Sequence, residues 1–366
     1  MNEYGRKINF AAGPSALPLP VLKTLRDELV NFRNNGLSLM ELTHRSTTFT
    51  DLLTETKMRL KKLLGIGDDY EILFLQGGAS LQFSMVPMNL AEKNDLTYYT
   101  LTGNFAKKAY EEGVKWTKAE VLTTSENDNY SFIPEIDKNK IDKNAKYIHT
   151  TVNNTIYGTM YNKLPDTDNV PLVGDVSSII LGKKYDYNKF ALFYAGAQKN
   201  LGIAGLTVVG INKKYLKAEK NNNIPIMLDY YIHAKNDSLY NTAPTFAIYV
   251  LGEVLKYLET IGTVDDIEKI NVEKANLLYD VIDNSKLYKG YAEKNSRSIM
   301  NVVWTTKDEE LDKKFIEEAK TAGLINLKGH RVLGGIRASI YNSKTLEETK
   351  VLADFMKKFE KENNHV

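Results

Sequence analysis

Three features of the chain could do chemistry together, and each sits at the end of a short apolar run. The first is Lys199, in Tyr194-Ala-Gly-Ala-Gln-Lys-Asn-Leu-Gly202, between the runs Phe190-Ala-Leu-Phe-Tyr194 and Leu206-Thr-Val-Val209. Both runs are β-branched or aromatic and bounded by glycines, so both read as buried strands. A lysine on a small-residue turn between core strands has little structural use, because an unpaired buried ammonium costs roughly several kcal/mol. Desolvation lowers its pKa, and the neutral amine can then form a Schiff base. The alternative is a solvated loop lysine.

The second feature is Asp175, at the end of Val170-Pro-Leu-Val-Gly-Asp and followed by Val-Ser-Ser178. Pyridoxal phosphate needs a lysine for its aldehyde carbon and an acidic residue against its pyridine nitrogen. An aspartate at one strand end and a lysine after the next strand suit that need; the alternative for Asp175 is a cap or turn residue. The third feature is Gly77-Gly78-Ala79-Ser80, after the run Glu71-Ile-Leu-Phe-Leu and before helical spacing at Leu81, Met85 and Met88. Small residues at a helix start leave free N–H groups that bind phosphate. In chain order the features make a phosphate cradle, a pyridine-nitrogen carboxylate and a Schiff-base lysine.

These residues resemble the phosphoserine aminotransferase family, of the class V aminotransferases. The resemblance runs the length of the chain: Asn9-Phe-Ala-Ala-Gly-Pro14, Glu41-Leu-Thr-His-Arg45, Gly77-Gly-Ala-Ser-Leu-Gln-Phe83, Gly174-Asp-Val-Ser-Ser178, Tyr194-Ala-Gly-Ala-Gln-Lys-Asn200, Tyr240-Asn-Thr-Ala-Pro-Thr-Phe246 and Lys328-Gly-His-Arg-Val-Leu-Gly-Gly-Ile-Arg-Ala-Ser-Ile-Tyr-Asn342. It implies the α/β architecture of pyridoxal-phosphate fold type I. A large domain at 16–262 would carry a mainly parallel seven-stranded sheet. A smaller α+β domain would combine 1–15 with 263–366.

The resemblance also implies site roles. Ala79, Ser80, Phe105, Thr155, Asp175, Gln198 and Lys199 would hold the cofactor, with Lys199 and Asp175 catalytic. Asn241 and Thr242 would reach the cofactor phosphate of a neighbouring subunit, which implies a homodimer with shared active sites. His44, Arg45, His330, Arg331 and Arg337 would bind substrate anions. The chain departs from the family at two places: some members carry Arg where this chain has Ser80, and the familiar Trp is here Phe105. Phe keeps a flat face for the ring to stack on but lacks the indole N–H.

Each site residue also has a plainer reading. Phe105 could be a core residue at a helix start. Asn241 or Thr242 could cap the helix that follows, with Pro244 near its first turn. Arg337, in the apolar strand 335–341, needs an anionic partner, and either a substrate carboxylate or a structural salt bridge would serve. His44-Arg45 could be a solvated loop. His149 reads as a satisfied core histidine.

Strands at 71–76, 96–101, 147–155, 170–175, 190–194 and 206–209 alternate with helical patterns, as in a parallel sheet covered on both faces. Ligands bind such sheets at the carboxyl ends of the strands, where Ser80, Phe105, Thr155, Asp175 and Lys199 all fall. Helices are expected at 21–32, 50–64, 264–282 and 308–322, and the final helix opens with a capping box at Thr345 and Glu348. Residues 8–20 read as extended because of Pro14, Pro18 and Pro20.

Composition narrows the functions. The 366 residues carry a net charge of +2, which gives no electrostatic case for nucleic acid or an anionic membrane. Cysteine is absent, so disulfides, thiolate metal sites and cysteine catalysis are excluded, and with them a cysteine desulfurase. The five histidines show no ligand-spaced pair, and no metal is expected. No Gly-x-Gly-x-x-Gly or P-loop follows a strand. No apolar run approaches the roughly 20 residues that span a bilayer, and the N-terminus lacks a signal-peptide pattern; a cytoplasmic protein is expected.

The implied reaction is reversible transamination between phosphoserine with 2-oxoglutarate and 3-phosphohydroxypyruvate with glutamate, with phosphohydroxythreonine of the pyridoxine pathway as a further substrate of some bacterial relatives. The rivals are a class V transaminase for alanine, serine or glyoxylate, which lack a distal anion, and a non-enzymatic protein on the same fold.

Overall fold

The computed structural model describes residues 3–218 and 223–363. The charged connection read at Lys213 to Asn223 is thus partly, at 219–222, outside the described residues. In chain order the elements are β1 (Ile8–Asn9), α1 (Leu19–Glu28), α2 (Thr47–Leu64), β2 (Tyr70–Leu75), α3 (Gly78–Leu90), β3 (Leu96–Leu101), α4 (Asn104–Trp116), β4 (Lys118–Thr124) and β5 (Ile148–Thr151). A small hairpin, β6 (Asn153–Asn154) and β7 (Thr159–Met160), precedes β8 (Leu172–Asp175), β9 (Phe190–Gly196) and β10 (Thr207–Asn212). Then come α5 (Tyr230–Lys235), α6 (Thr245–Ile261), α7 (Val264–Asn284), β11 (Lys289–Gly290), β12 (Asn301–Thr305), α8 (Glu309–Thr321), β13 (Leu324–Ile325), β14 (Ile336–Ser339) and α9 (Leu346–Asn363).

The main sheet has seven strands in the order β2-β10-β9-β8-β5-β3-β4. Neighbours are parallel except at β10, which runs against both β9 and β2. This is the α/β arrangement with a mostly parallel sheet expected for pyridoxal-phosphate fold type I. Every residue of β9 is buried, because both faces of the sheet are covered and a strand there needs apolar or small residues throughout. The reversal of β10 brings its start to the edge where β9 ends, so the connection carrying Lys199 stays short and at that edge.

Beyond α6, a three-stranded sheet in the order β11-β12-β14 packs with α7, which in turn packs on α9. The first strand joins these late elements: β1 pairs in parallel with β13, Ile8 opposite Leu324. No described helix is long and apolar enough to cross a membrane.

Local chemistry sets the boundaries. Ser46 caps α2 by accepting from Phe49 N, and Gly65 closes it at φ 67°. The capping box at Thr345 and Glu348 forms in both directions. Helix α1 begins earlier than expected because Pro18 serves as its cap and Pro20 falls in its first turn, where no N–H is required; it stops at Glu28 rather than Phe32. Pro244 stands at the cap position of α6 rather than inside its first turn. The expected strand at 147–155 is divided, with β5 followed by the turn that carries Thr155.

Gly174 lies directly before Asp175 in β8, and a Cβ there would meet Phe190 Cε1 at 2.4 Å. Phe190 is a fully buried residue of the neighbouring strand, so it has little room to yield. Gly174→Ala is expected to destabilise the protein by about 1–3 kcal/mol, as overpacking does in a dense core, read as a lowered denaturant midpoint.

Candidate active site

The carboxyl edge of the sheet gathers five of the expected residues: Ser80 after β2, Phe105 after β3, Thr155 after β5, Asp175 ending β8 and Lys199 after β9. Lys199 Nζ donates to Thr155 Oγ1 at 2.7 Å. The same amine stands 5.1 Å from the centre of the Phe105 ring, so Phe105 faces the cleft and is only partly buried. The Thr155 hydroxyl donates a hydrogen bond to Ser178 Oγ at 2.9 Å, which leaves its lone pairs for the lysine. Ser178 also accepts from Asn153 Nδ2 at 2.7 Å, and Asn153 bonds Asn301 Oδ1 at 2.8 Å. A buried polar chain thus runs from Lys199 to β12.

Burial lowers the Lys199 pKa to about 8; the Asp175 charge opposes that shift and Arg337 adds to it. Asp175 is pushed up by burial and held down in part by Lys199 and Ser177. Its Oδ1 accepts from Ser177 N at 3.0 Å, so the turn role is real, and the carboxylate is also near enough for its charge to act on the lysine. Two backbone contacts steady the lysine turn. Ser15 N donates to Gln198 O at 2.9 Å, and Ser15 Oγ donates to Lys199 O. Gly13 lies so close that a Cβ would meet Lys199 Cγ at 3.4 Å and Gln198 Cγ at 3.6 Å.

At the head of α3, Gly77 holds φ 88° and no side chain caps the helix, so the N–H groups of Gly78, Ala79 and Ser80 are open to an anion. Asn241 and Thr242 do not cap α6. They sit beside this turn instead: Asn241 Nδ2 donates to Gln76 Oε1 at 3.0 Å, and Gln76 Nε2 donates to Thr242 O at 3.4 Å.

Arg337 comes from β14 on the other side of the cleft. Its Nη1 donates to Thr155 O at 3.3 Å, its buried Nε has no partner, and no ion pair holds it among the described residues. The structural salt bridge weighed for it is therefore absent there. Burial lowers its pKa. His330 and Arg331 lie in a turn closed by Leu333 N and Gly334 N on His330 O at 2.9 and 2.8 Å. The proton affinity of His330 is lowered by burial first, then by Arg337, Arg331 and Lys108. His44 and Arg45 sit in the turn before α2. Arg45 is exposed, His44 Nε2 is buried without a partner, and no hydrogen bond or ion pair joins either to the Lys199 cluster.

His149 departs from the expected satisfied core histidine. Its Nε2 meets Tyr194 OH at 2.8 Å and its ring stacks on Tyr99, but Nδ1 has no partner. Sequence reasoning missed Gln76, Ser15 and the role of Ser178. Gln76 directly precedes the Gly-Gly turn and Ser178 closes the Asp175 motif, so adjacency was the available signal for both; nothing local marks Ser15.

The class-V aminotransferase family model matches residues 8–352. Phosphoserine aminotransferase of Lysinibacillus sphaericus is 51% identical over 360 residues, covering 98% of this chain and 99% of that protein. The Bacillus subtilis enzyme of the same name is 50% identical over 359 residues, with the same coverage. Among solved structures, phosphoserine aminotransferase from Bacillus circulans subsp. alkalophilus superposes with TM-score 0.94 at 43% identity, over 98% of this chain and 99% of that one. A phosphoserine aminotransferase from Trichomonas vaginalis with bound pyridoxal phosphate superposes at 0.90 and 34% identity, over 96% of this chain and 100% of that one. The chain belongs to the class-V aminotransferases and, among them, to the phosphoserine aminotransferases.

Proposed function

We propose that the protein transfers the amino group of phosphoserine to 2-oxoglutarate, reversibly, giving 3-phosphohydroxypyruvate and glutamate, with pyridoxal phosphate as cofactor. The observation that carries this reading is the Lys199 amine, held by Thr155 at 2.7 Å and brought to a pKa of about 8, near an arginine that has no carboxylate partner among the described residues. The residues fit the cofactor. Asp175 is a buried carboxylate free to face a protonated ring nitrogen, Phe105 offers a flat face, and the uncapped start of α3 offers N–H groups to a phosphate. Gln198 would border the ring, and Asn241 with Thr242 would complete the phosphate site of a partner subunit in a homodimer.

When bound, pyridoxal phosphate supplies an electron sink that makes the substrate Cα–H acidic. Lys199 Nζ, neutral in an appreciable fraction near pH 8, takes that proton and as the ammonium is the acid that returns it. Thr155 orients the amine. Arg337 binds the α-carboxylate by the planar fork that suits it. His330 and Arg331, with His44 and Arg45, bind the distal anion. In this reading residues 16–262 hold the cofactor, 1–15 with 263–366 carry Arg337 and His330, and the protein works in the cytoplasm. The like-charged cluster around His330 disfavours alanine, serine or glyoxylate as the main substrates, since none has a distal anion to neutralise it.

The test is the visible spectrum of the cofactor-loaded protein. Phosphoserine is expected to convert the absorbing band fully, and alanine at the same concentration to leave it. A band that answers to alanine and ignores phosphoserine would reject the substrate; no band after incubation with pyridoxal phosphate would reject the cofactor.

A further inference from the structure

We propose that Lys108 is a specificity-determining residue that binds the distal anion of the substrate and favours a phosphate dianion over a carboxylate. This rests on the transaminase reading above and deepens it. Lys108 lies on α4, next to the site but outside the motifs that mark it. Its Nζ is 5.9 Å from the centre of the Phe105 ring, the ring that Lys199 Nζ approaches at 5.1 Å. The two amines therefore flank one aromatic side chain, with Lys199 in the interior and Lys108 exposed at the mouth. A substrate whose Cα is held at Lys199 extends its distal group outward, toward that mouth.

The His330–Gly334 turn lies close by. Leu333 of that turn packs, as Phe105 does, against the buried Tyr130, Ile156 and Tyr157. Lys108 is one of three cations whose field is felt at His330, with Arg331 and Arg337. Basic groups from two segments of the chain, Lys108 on α4 and His330, Arg331 and Arg337, are thus near enough for their charges to act on one another.

Lys108 differs in its pairing from the other lysines of α4. Its neighbour Lys107 is paired with Glu126 at 2.7 Å, and Lys115 with Glu112 at 2.5 Å. Lys108 has no ion-pair partner among the described residues. An anion in the mouth would relieve the repulsion within the cluster. A phosphate monoester carries a charge of about −1.5 to −2 at neutral pH with three acceptor oxygens, against −1 and two oxygens for the side-chain carboxylate of glutamate. One more cation at the rim therefore gains more from phosphoserine than from glutamate.

The experiment compares wild type, Lys108→Met and Lys108→Arg in the two half-reactions, followed separately on the cofactor-loaded enzyme with phosphoserine and with glutamate. For Lys108→Met, KM for phosphoserine is expected to rise about tenfold and that for glutamate by less than about threefold, the scale of a solvent-accessible pair to a multiply charged anion. The kcat for phosphoserine is expected to hold, because the lost interaction is made equally before and during reaction. Lys108→Arg is expected to restore most of the phosphoserine KM. Unchanged KM values in Lys108→Met overturn the assignment, and so does an equal rise for both substrates. Wild type that ignores phosphoserine overturns the transaminase reading itself, an outcome distinct from either.

Discussion

Lys199→Ala is expected to reduce transamination of phosphoserine by at least about 10⁴-fold, the combined loss of a covalent tether and a general base. No neighbour can replace it: Thr155 and Ser178 do not ionise near neutrality, and Arg337 remains protonated. The fold is expected to survive, because Thr155 keeps its bond to Ser178 and the substitution removes a buried amine rather than stranding one. Circular dichroism and the melting temperature check that point while turnover is measured. The amine can also be followed directly. With its pKa lowered to about 8, Lys199 in cofactor-free protein is expected to be acylated by a small amine reagent at a rate that rises as pH increases through 8 and levels above it, while ordinary surface lysines remain slow until pH 10. Peptide mapping of the modified residue reads this, and a Lys199 that titrates with the surface lysines would contradict the desolvated site.

Asp175→Asn is expected to lower kcat by about 10³-fold, within the range attributed to removing one preorganised electrostatic partner from a water-poor site. The amide still accepts from Ser177 N, now at 3.0 Å from the carboxylate, so shape and strand pairing are retained. What disappears is the negative charge that would keep a ring nitrogen protonated. A second, independent consequence concerns the lysine. The Asp175 charge raises the Lys199 pKa against the effect of burial. Its removal is therefore expected to move the acylation midpoint of Lys199 below 8. A midpoint that rises, or stays where it is, would show that the two groups do not sense each other. The paired readouts separate a lost electron sink from a disturbed fold, since a misfolded variant would return Lys199 toward the ordinary lysine range.

Much of this site was legible because its residues obey local rules. Lys199, Asp175 and Ser80 each follow a buried apolar strand, and the parallel sheet places strand ends at one edge, so position along the chain translates into position in space. Arg337 was legible as an arginine stranded in an apolar strand. The rest depends on contacts between segments far apart in sequence. Ser15 holds the Lys199 turn from 184 residues away. Asn241 sits at Gln76 rather than on its own helix, because Pro244 takes the cap position. The antiparallel β10 could not be read from its apolar run, since a fully buried strand carries no sign of its direction. Helix ends shifted where prolines stood: a proline forbids the interior of a helix but suits its first turn, so Pro18 and Pro20 began α1 instead of excluding it.

The pairing of β1 with β13 has a consequence for how the protein is made. Tyr341 OH bonds Ala12 O at 2.8 Å across 329 residues, and Ser339 N bonds Phe10 O at 3.2 Å. A ribosome works from the amino end, adding roughly 5–20 residues per second. The stretch that steadies the lysine turn is thus translated well before β13 and β14, and it waits on the order of half a minute for these partners. The sheet from β2 to β10 can assemble during that interval with Lys199 already at its edge, yet these contacts cannot close until Tyr341 has been made. Contacts around the lysine turn thus join segments made far apart in time.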